Sequence, residues 1–233
     1  MMGLLMMFLG SLVLASQPTP LMNQPRDRYD NGYTEDRYHE VLDHLIKVYE
    51  PIIQAQGGVF IIDRDWSDGA VNMWAERIGN EFILEVPGGM ARYHLISEEG
   101  FISSLCHELG HLLGGPPGGL YISYEGQSDY YAGQSCIAKV LGGFSPQKTL
   151  PLDLEVAEIC QGDQLCSRSL QGMKSLTSYY AELEGVGFPQ FKTPSTVEVS
   201  KTLTAHPPAQ CRLDTFLAGY QNRPRPRCWY KAE

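Results

Sequence analysis

The run Cys106-His107-Glu108-Leu109-Gly110-His111 contains the pattern His-Glu-x-x-His. On an α-helix, residues four apart share a face, so His107 and His111 can direct two imidazole nitrogens at one metal ion. Glu108, one residue on, can reach a metal-activated water and take its proton without being a ligand. A pattern this short also arises by chance, so its surroundings decide. Ser97 is a suitable N-cap, Glu98 and Glu99 suit a first turn, and Phe101, Ile102, Leu105, Leu109 and Leu112 recur at helical spacing. Gly114-Gly115-Pro116-Pro117 then stops the element, which predicts a helix over about 98–113. Cys106 lies roughly 100° around that helix from His107 and is read as structural.

A catalytic zinc ion takes three protein ligands and keeps a fourth position open. A third histidine six residues beyond His111 is excluded, because that position is Pro117. The next source is Tyr124-Glu125-Gly126-Gln127-Ser128-Asp129, where Glu125 and Asp129 share a face if the segment is helical. Glu125 completes a His-His-Glu set, and Asp129 accepts a hydrogen bond from the far nitrogen of a ligand histidine, fixing its tautomer. The rival arrangement makes Asp129 the ligand and Glu125 a solvated neighbour.

With these residues in place, the chain resembles the gluzincin peptidases of the HtpX and Ste-type CaaX prenyl protease family. Three further segments carry the resemblance. Val71-Asn72-Met73-Trp74-Ala75 resembles the family's Asn-Ala-x-Ala segment, and Glu81–Val86 with Pro87-Gly88-Gly89 resembles the strand and glycine-rich turn before its zinc helix. Thr204-Ala205-His206-Pro207-Pro208, followed by Arg212-Leu213, is similar to its Thr-His-Pro…Arg-Ile segment. The resemblance implies zinc peptidase chemistry on a zincin-like fold. It implies that His206 or Arg212 stabilises an oxyanion or orients substrate; the alternative is a His-Pro turn and an ordinary surface arginine. Because no apolar spans flank the zinc helix, the expected relative is small, soluble and exported.

The elements that must position these residues follow from the pattern of the chain. A helix is predicted from Tyr38 to Gln54 on Val41, Leu42, Leu45, Ile46 and Tyr49, and strands at Gly58–Ile62 and Glu81–Val86, the second offering a free edge to an extended peptide. After the zinc helix, one helix is predicted from the Glu125 region to Val140. Others are predicted at Asp153–Cys160, Ser167–Leu183 and Gln210–Ala218, with Arg223, Arg225 and Arg227 in a solvated extended tail. The expected fold is α+β, a small sheet packed on a mainly helical body with the zinc helix at its centre.

The chain has 233 residues, 43% hydrophobic and 19% charged, which is globular and suits one domain. A net charge of −9 argues against a nucleic-acid partner. The first 25 residues contain no Lys, Arg, Asp or Glu, and Leu4–Ala15 is apolar but short for a bilayer span, so residues 1–16 read as a signal peptide. Residues 17–36 read as a poorly ordered arm and 37–233 as a single domain with no transmembrane span. Six cysteines fit an oxidising, periplasmic or extracellular compartment. Cys160 with Cys166 and Cys211 with Cys228 are plausible pairs, leaving Cys106 and Cys136. The expected activity is zinc-dependent hydrolysis of protein or peptide substrates. The alternatives are a zinc hydrolase of a non-protein, cell-wall amide and a binding protein in which zinc only staples the fold.

Overall fold

The computed structural model describes residues 30–148 and 151–232. Helix α1 (Glu35–Gln54) opens on Thr34, whose side chain accepts from the Arg37 amide, and buries Tyr38, Val41, Leu42, Leu45, Tyr49 and Ile53 along one stripe. It begins three residues earlier than its apolar periodicity indicates, because the cap and Glu35-Asp36 define the first turn, not the apolar stripe. The residues just before it are held too. The Asn31 amide donates to the carbonyls of Ala91, Tyr93 and Ile96 at 3.0, 3.1 and 2.7 Å. The expected leader (1–16) and most of the expected arm lie outside the described residues; positions 30–36 are tied to the body rather than loose.

Three strands, β1 (Val59–Asp65), β2 (Trp74–Ile78) and β3 (Glu81–Pro87), form a sheet in the order β1-β3-β2. β1 runs parallel to β3, with Val59 opposite Glu81, and β2 runs antiparallel to it, with Ile78 opposite Glu81. This corrects the expectation that Glu81–Val86 offers a free edge. β3 is paired on both sides and buries Phe82, Leu84 and Val86; the edges belong to β1 and β2. β2 escapes sequence reading because Trp-Ala-Glu-Arg-Ile has little apolar alternation. It becomes a strand through its hairpin with β3, closed at Gly79, whose φ is +61°. Gly88 and Gly89, expected in a glycine-rich turn, instead open a short helix, α2 (Gly88–Arg92).

Helix α3 (Glu98–Leu113) is capped as predicted, with Ser97 Oγ accepting from the Gly100 amide at 3.1 Å, and it forms the centre of the helical body. Packed around it are α4 (Glu125–Tyr131), α5 (Ile137–Gly142) and α7 (Gln164–Glu184), together with β2 and β3; α6 (Leu154–Cys160) and α8 (Ala209–Tyr220) pack on α7. The protein is thus mixed α and β, a small sheet against a mainly helical body. The helix expected to run unbroken from Glu125 to Val140 is interrupted by a π-helical turn at Ala132–Cys136. That wider turn presents Cys136 to Cys106 on α3, with which it forms a disulfide. Cys160–Cys166 and Cys211–Cys228 are the other two bridges.

The C-terminal tail is tied down at Cys228 by its bridge to Cys211 and exposes Arg223 and Arg227, but it also packs on the body rather than being wholly solvated. Arg225 donates to Gln127 Oε1 at 2.6 Å, the Tyr130 hydroxyl donates to the Arg223 carbonyl at 2.7 Å, and Trp229 is fully buried. No helix among the described residues is long and apolar enough to cross a membrane.

The Cys106–Cys136 bridge closes a separation of 30 residues between two core elements. Replacing both cysteines by alanine is expected to lower stability by about 3–4 kcal/mol on chain-entropy grounds. A urea unfolding curve checks this, and an unchanged midpoint would refute it.

Candidate metal centre

The site depends on how closely α4 approaches α3. Gly110 lies between the two histidines, and a Cβ there would meet Ser128 O at 2.5 Å and Ser128 Cα at 2.7 Å. With no side chain in the way, the α4 backbone lies directly against α3, within reach of both rings. His107 Nε2 then stands 3.2 Å from His111 Nε2 and 3.3 Å from Glu125 Oε2, while Glu125 Oε1 is 3.7 Å from His111 Nε2. One donor atom from each of His107, His111 and Glu125 falls within a 4.8 Å group, a set that can hold a metal ion.

The far side of each imidazole is already engaged. His107 Nδ1 donates to Asp129 Oδ1 at 2.8 Å, and His111 Nδ1 donates to the Ser123 carbonyl at 2.9 Å. With Nδ1 of both rings engaged, the two Nε2 atoms, 3.2 Å apart, face one point, with Arg212 Nη2 3.3 Å from that of His107. Glu125 Oε2 is buried there and accepts no hydrogen bond. Three convergent acceptors, one of them an orphaned buried oxygen, fit a cation.

Charge on the cluster is consistent with that. Burial and the Arg212 charge push His107 down, but the Asp129 and Glu125 carboxylates outweigh them and raise it to about 9. Burial and the neighbouring His107 charge drop His111 to about 4, so its ring is neutral. Burial opposes ionisation of Glu125 and Asp129, yet the positive charge of His107 and Arg212 holds both carboxyls well below the usual range. Metal binding at these nitrogens would therefore compete with a proton on His107.

Asp129 is not the third member of the group. Its Oδ1 faces His107 Nδ1, and both its oxygens accept from Arg212 at 2.8 Å. Arg212 is 2% exposed, stacks on the Tyr180 ring at 3.7 Å and also lies 3.1 Å from His107 Nδ1. This corrects the expectation that Arg212 reaches a substrate oxyanion. Arg212 Nη2 also lies 3.3 Å from His107 Nε2 and 3.8 Å from Glu125 Oε2, so the buried guanidinium braces Asp129 and the ring as a positioning residue. The His206 side chain is 72% exposed, with Nε2 at 3.2 Å from Glu125 Oε1. Glu108 is 8% exposed, with its carboxylate 4.0 Å from His107 Nε2. Burial first, then the Glu125 and Asp129 charges, push its carboxyl up to about 7 against the opposing charges of His107 and Arg212.

Two contributors gave no signal in sequence. Tyr180 occurs as one aromatic in an amphipathic helix, and Ser123 contributes through its backbone alone. No protein-family profile, no curated protein and no solved structure matches this chain.

Arg212→Leu leaves the Asp129 carboxylate buried without its guanidinium. The expected result is a stability loss of about 3–5 kcal/mol and a roughly 10–100-fold weaker hold on added zinc. Denaturant unfolding and chelator competition measure the two. For the ligand set, Glu125→Ala is expected to weaken zinc binding more than Asp129→Asn, and the reverse order would make Asp129 the ligand.

Proposed function

We propose that this protein is an exported zinc metalloendopeptidase of the gluzincin type. Glu108 carries the reading. A carboxyl buried on a helix normally finds a hydrogen-bond donor, because leaving it unpaired costs stability. Glu108 is 8% exposed, its carboxylate stands 4.0 Å from His107 Nε2, and its side chain keeps 11% exposure beside the cluster of His107, His111 and Glu125. Such a group is poorly explained by stability and well explained by chemistry at the open side of the site.

Two nitrogens and a carboxylate oxygen, with a fourth position unfilled by protein, are the donor set of catalytic zinc. Zinc held there supplies Lewis-acid polarisation of a carbonyl and lowers the pKa of a water molecule. Glu108 would take the proton from the attacking water and return it to the leaving amine as the C–N bond breaks. Asp129 and Arg212 hold the His107 ring in its tautomer throughout, and His111 is held the same way by the Ser123 carbonyl. His206 faces solvent beside Glu125 and is placed to donate to the substrate carbonyl oxygen.

The expected strand-like docking of substrate moves to β2. Its outer edge is unpaired among the described residues, and Met73, just before it, touches Ser104 Oγ at 3.5 Å, one turn from Glu108 on the same face of α3. An extended peptide added to β2 would run past the acid. The likeness of His107–His111, Glu125, Asp129 and the Thr204–Arg212 segment to the HtpX and Ste-type family supports the same chemistry. Three disulfides support an oxidising compartment.

Glu108→Gln keeps the shape of the side chain and removes the proton acceptor. The expected outcome is unchanged zinc content and melting temperature with hydrolysis of an unfolded protein such as reduced casein reduced by roughly 10²–10⁴-fold. Wild-type activity should vanish with a chelator and return with zinc. Equal activity in Glu108→Gln and wild type would refute the mechanism.

A further inference from the structure

The loop between α3 and α4 is a hairpin built in an unusual way. Gly118 and Ser123 form an antiparallel bridge, and the Gly119 amide donates to the Ile122 carbonyl at 2.8 Å. Leu120 and Tyr121 are therefore the two turn residues. Local physics favours Asn, Asp or Gly in a two-residue turn. Here the positions carry a leucine that is 93% exposed and a tyrosine that is 68% exposed, followed by the partly exposed Ile122.

The base of this hairpin is firmly held while its tip is exposed among the described residues. Ser123 Oγ donates to the Gly115 carbonyl at 2.8 Å, Gln127 Nε2 to the Gly114 carbonyl at 2.8 Å, and the Tyr124 amide to the Pro117 carbonyl at 3.0 Å. The same base is joined to the metal centre. The Ser123 amide donates to the His111 carbonyl at 2.9 Å, and the Ser123 carbonyl accepts from His111 Nδ1. Only Ile122 separates that carbonyl from the turn. Between Leu109 and Tyr124 there is no Asp, Glu, Lys or Arg, in a chain of which 19% is charged.

We propose that Leu120 and Tyr121 form an apolar specificity wall beside the metal centre, which grips bulky apolar side chains of an extended polypeptide lying across it. Two observations favour a polypeptide over a lipid surface. The hairpin is tied directly to a ring of the metal-binding group, so whatever it grips is delivered beside Glu108. It also lacks the basic residues that would draw the strongly acidic protein to an anionic bilayer. A fixed base suits the task, because a tip held still loses little freedom when it closes on a side chain. The proposal deepens the peptidase reading and rests on it for what the gripped chain undergoes.

The test separates gripping from turnover. Two fluorescently labelled decapeptides, identical except that one carries Leu-Phe where the other carries Ser-Gly, are titrated by anisotropy onto zinc-loaded Glu108→Gln protein. The apolar peptide is expected to bind about tenfold tighter, the scale of one or two methylenes in an apolar subsite. Adding Leu120→Ser and Tyr121→Ser should erase that preference without changing zinc content or melting temperature, whereas Leu120→Met with Tyr121→Phe should keep it. A preference that survives the serine pair, or that is missing from the start, overturns the proposal. So does sedimentation with phosphatidylcholine vesicles that depends on Leu120 and Tyr121 while the peptides show no preference, since the tip would then serve a lipid surface. If wild-type protein cleaves neither peptide but the preference holds, the peptidase reading fails and the apolar wall stands.

Discussion

A carboxylate with no solvent contact, Asp129, holds this molecule's site together. Burying a charge costs several kcal/mol unless it is fully paired, so its partners must be in position for the fold to be stable. Those partners are His107 on α3 and Arg212 on α8, and Asp129 itself belongs to α4. Three helices therefore meet at one anion, and the orientation of the His107 ring is a by-product of satisfying it. The residue before Arg212 is Cys211, bridged to Cys228, so the chain that supplies the guanidinium is anchored covalently as well. Loosening α8 would release a buried charge and turn a ligand at the same time.

Close backbone contacts let that arrangement form. At Gly110 α4 meets α3, and at Gly126 the buried Trp229 lies where a Cβ would be 2.2 Å from the indole. The C-terminal segment thus bears on the first turn of α4 beside Glu125, while Arg225 holds Gln127 one turn on from Tyr124. The site is built from elements far apart in the chain, and each glycine removes the side chain that would keep two of them apart. A methyl group at Gly110 would push α4 away and open the distance that Glu125 has to span.

The result is a division of the site into two sides. Behind the rings, the Nδ1 atoms, Asp129, Arg212 and the Ser123 carbonyl form a saturated network. In front, two Nε2 atoms, Glu108 and the unpartnered Glu125 Oε2 are grouped around one point. A preorganised set of lone pairs backed by a rigid network suits a cation and the water chemistry it promotes. The apolar hairpin tip is the outward extension of the same frame, since Ser123 belongs both to the saturated side and to the base of the turn.

Some of this could be read directly from residue order because it rests on local rules. The spacing of His107 and His111, the Ser97 cap, the Gly-Pro stop and the placing of Glu125 and Asp129 one turn apart all follow from helical geometry over a few residues. The cysteine pairs were readable for a similar reason, two of them bracketing short segments. What tertiary structure alone decided involves partners distant in sequence. Arg212 meets Asp129 across 83 positions, a pairing that no periodicity encodes and that buries an arginine expected to act on substrate. β2 is a strand because β3 offers it a ladder, and β3 loses its free edge for the same reason. The π-turn after α4 accompanies the Cys136 bridge to Cys106, and the arginine-proline tail is packed because Trp229 needs a place to bury its ring. Local propensity sets which residues can form a helix or a cap, whereas burial of charge and apolar surface, a property of the whole chain, sets what those elements meet.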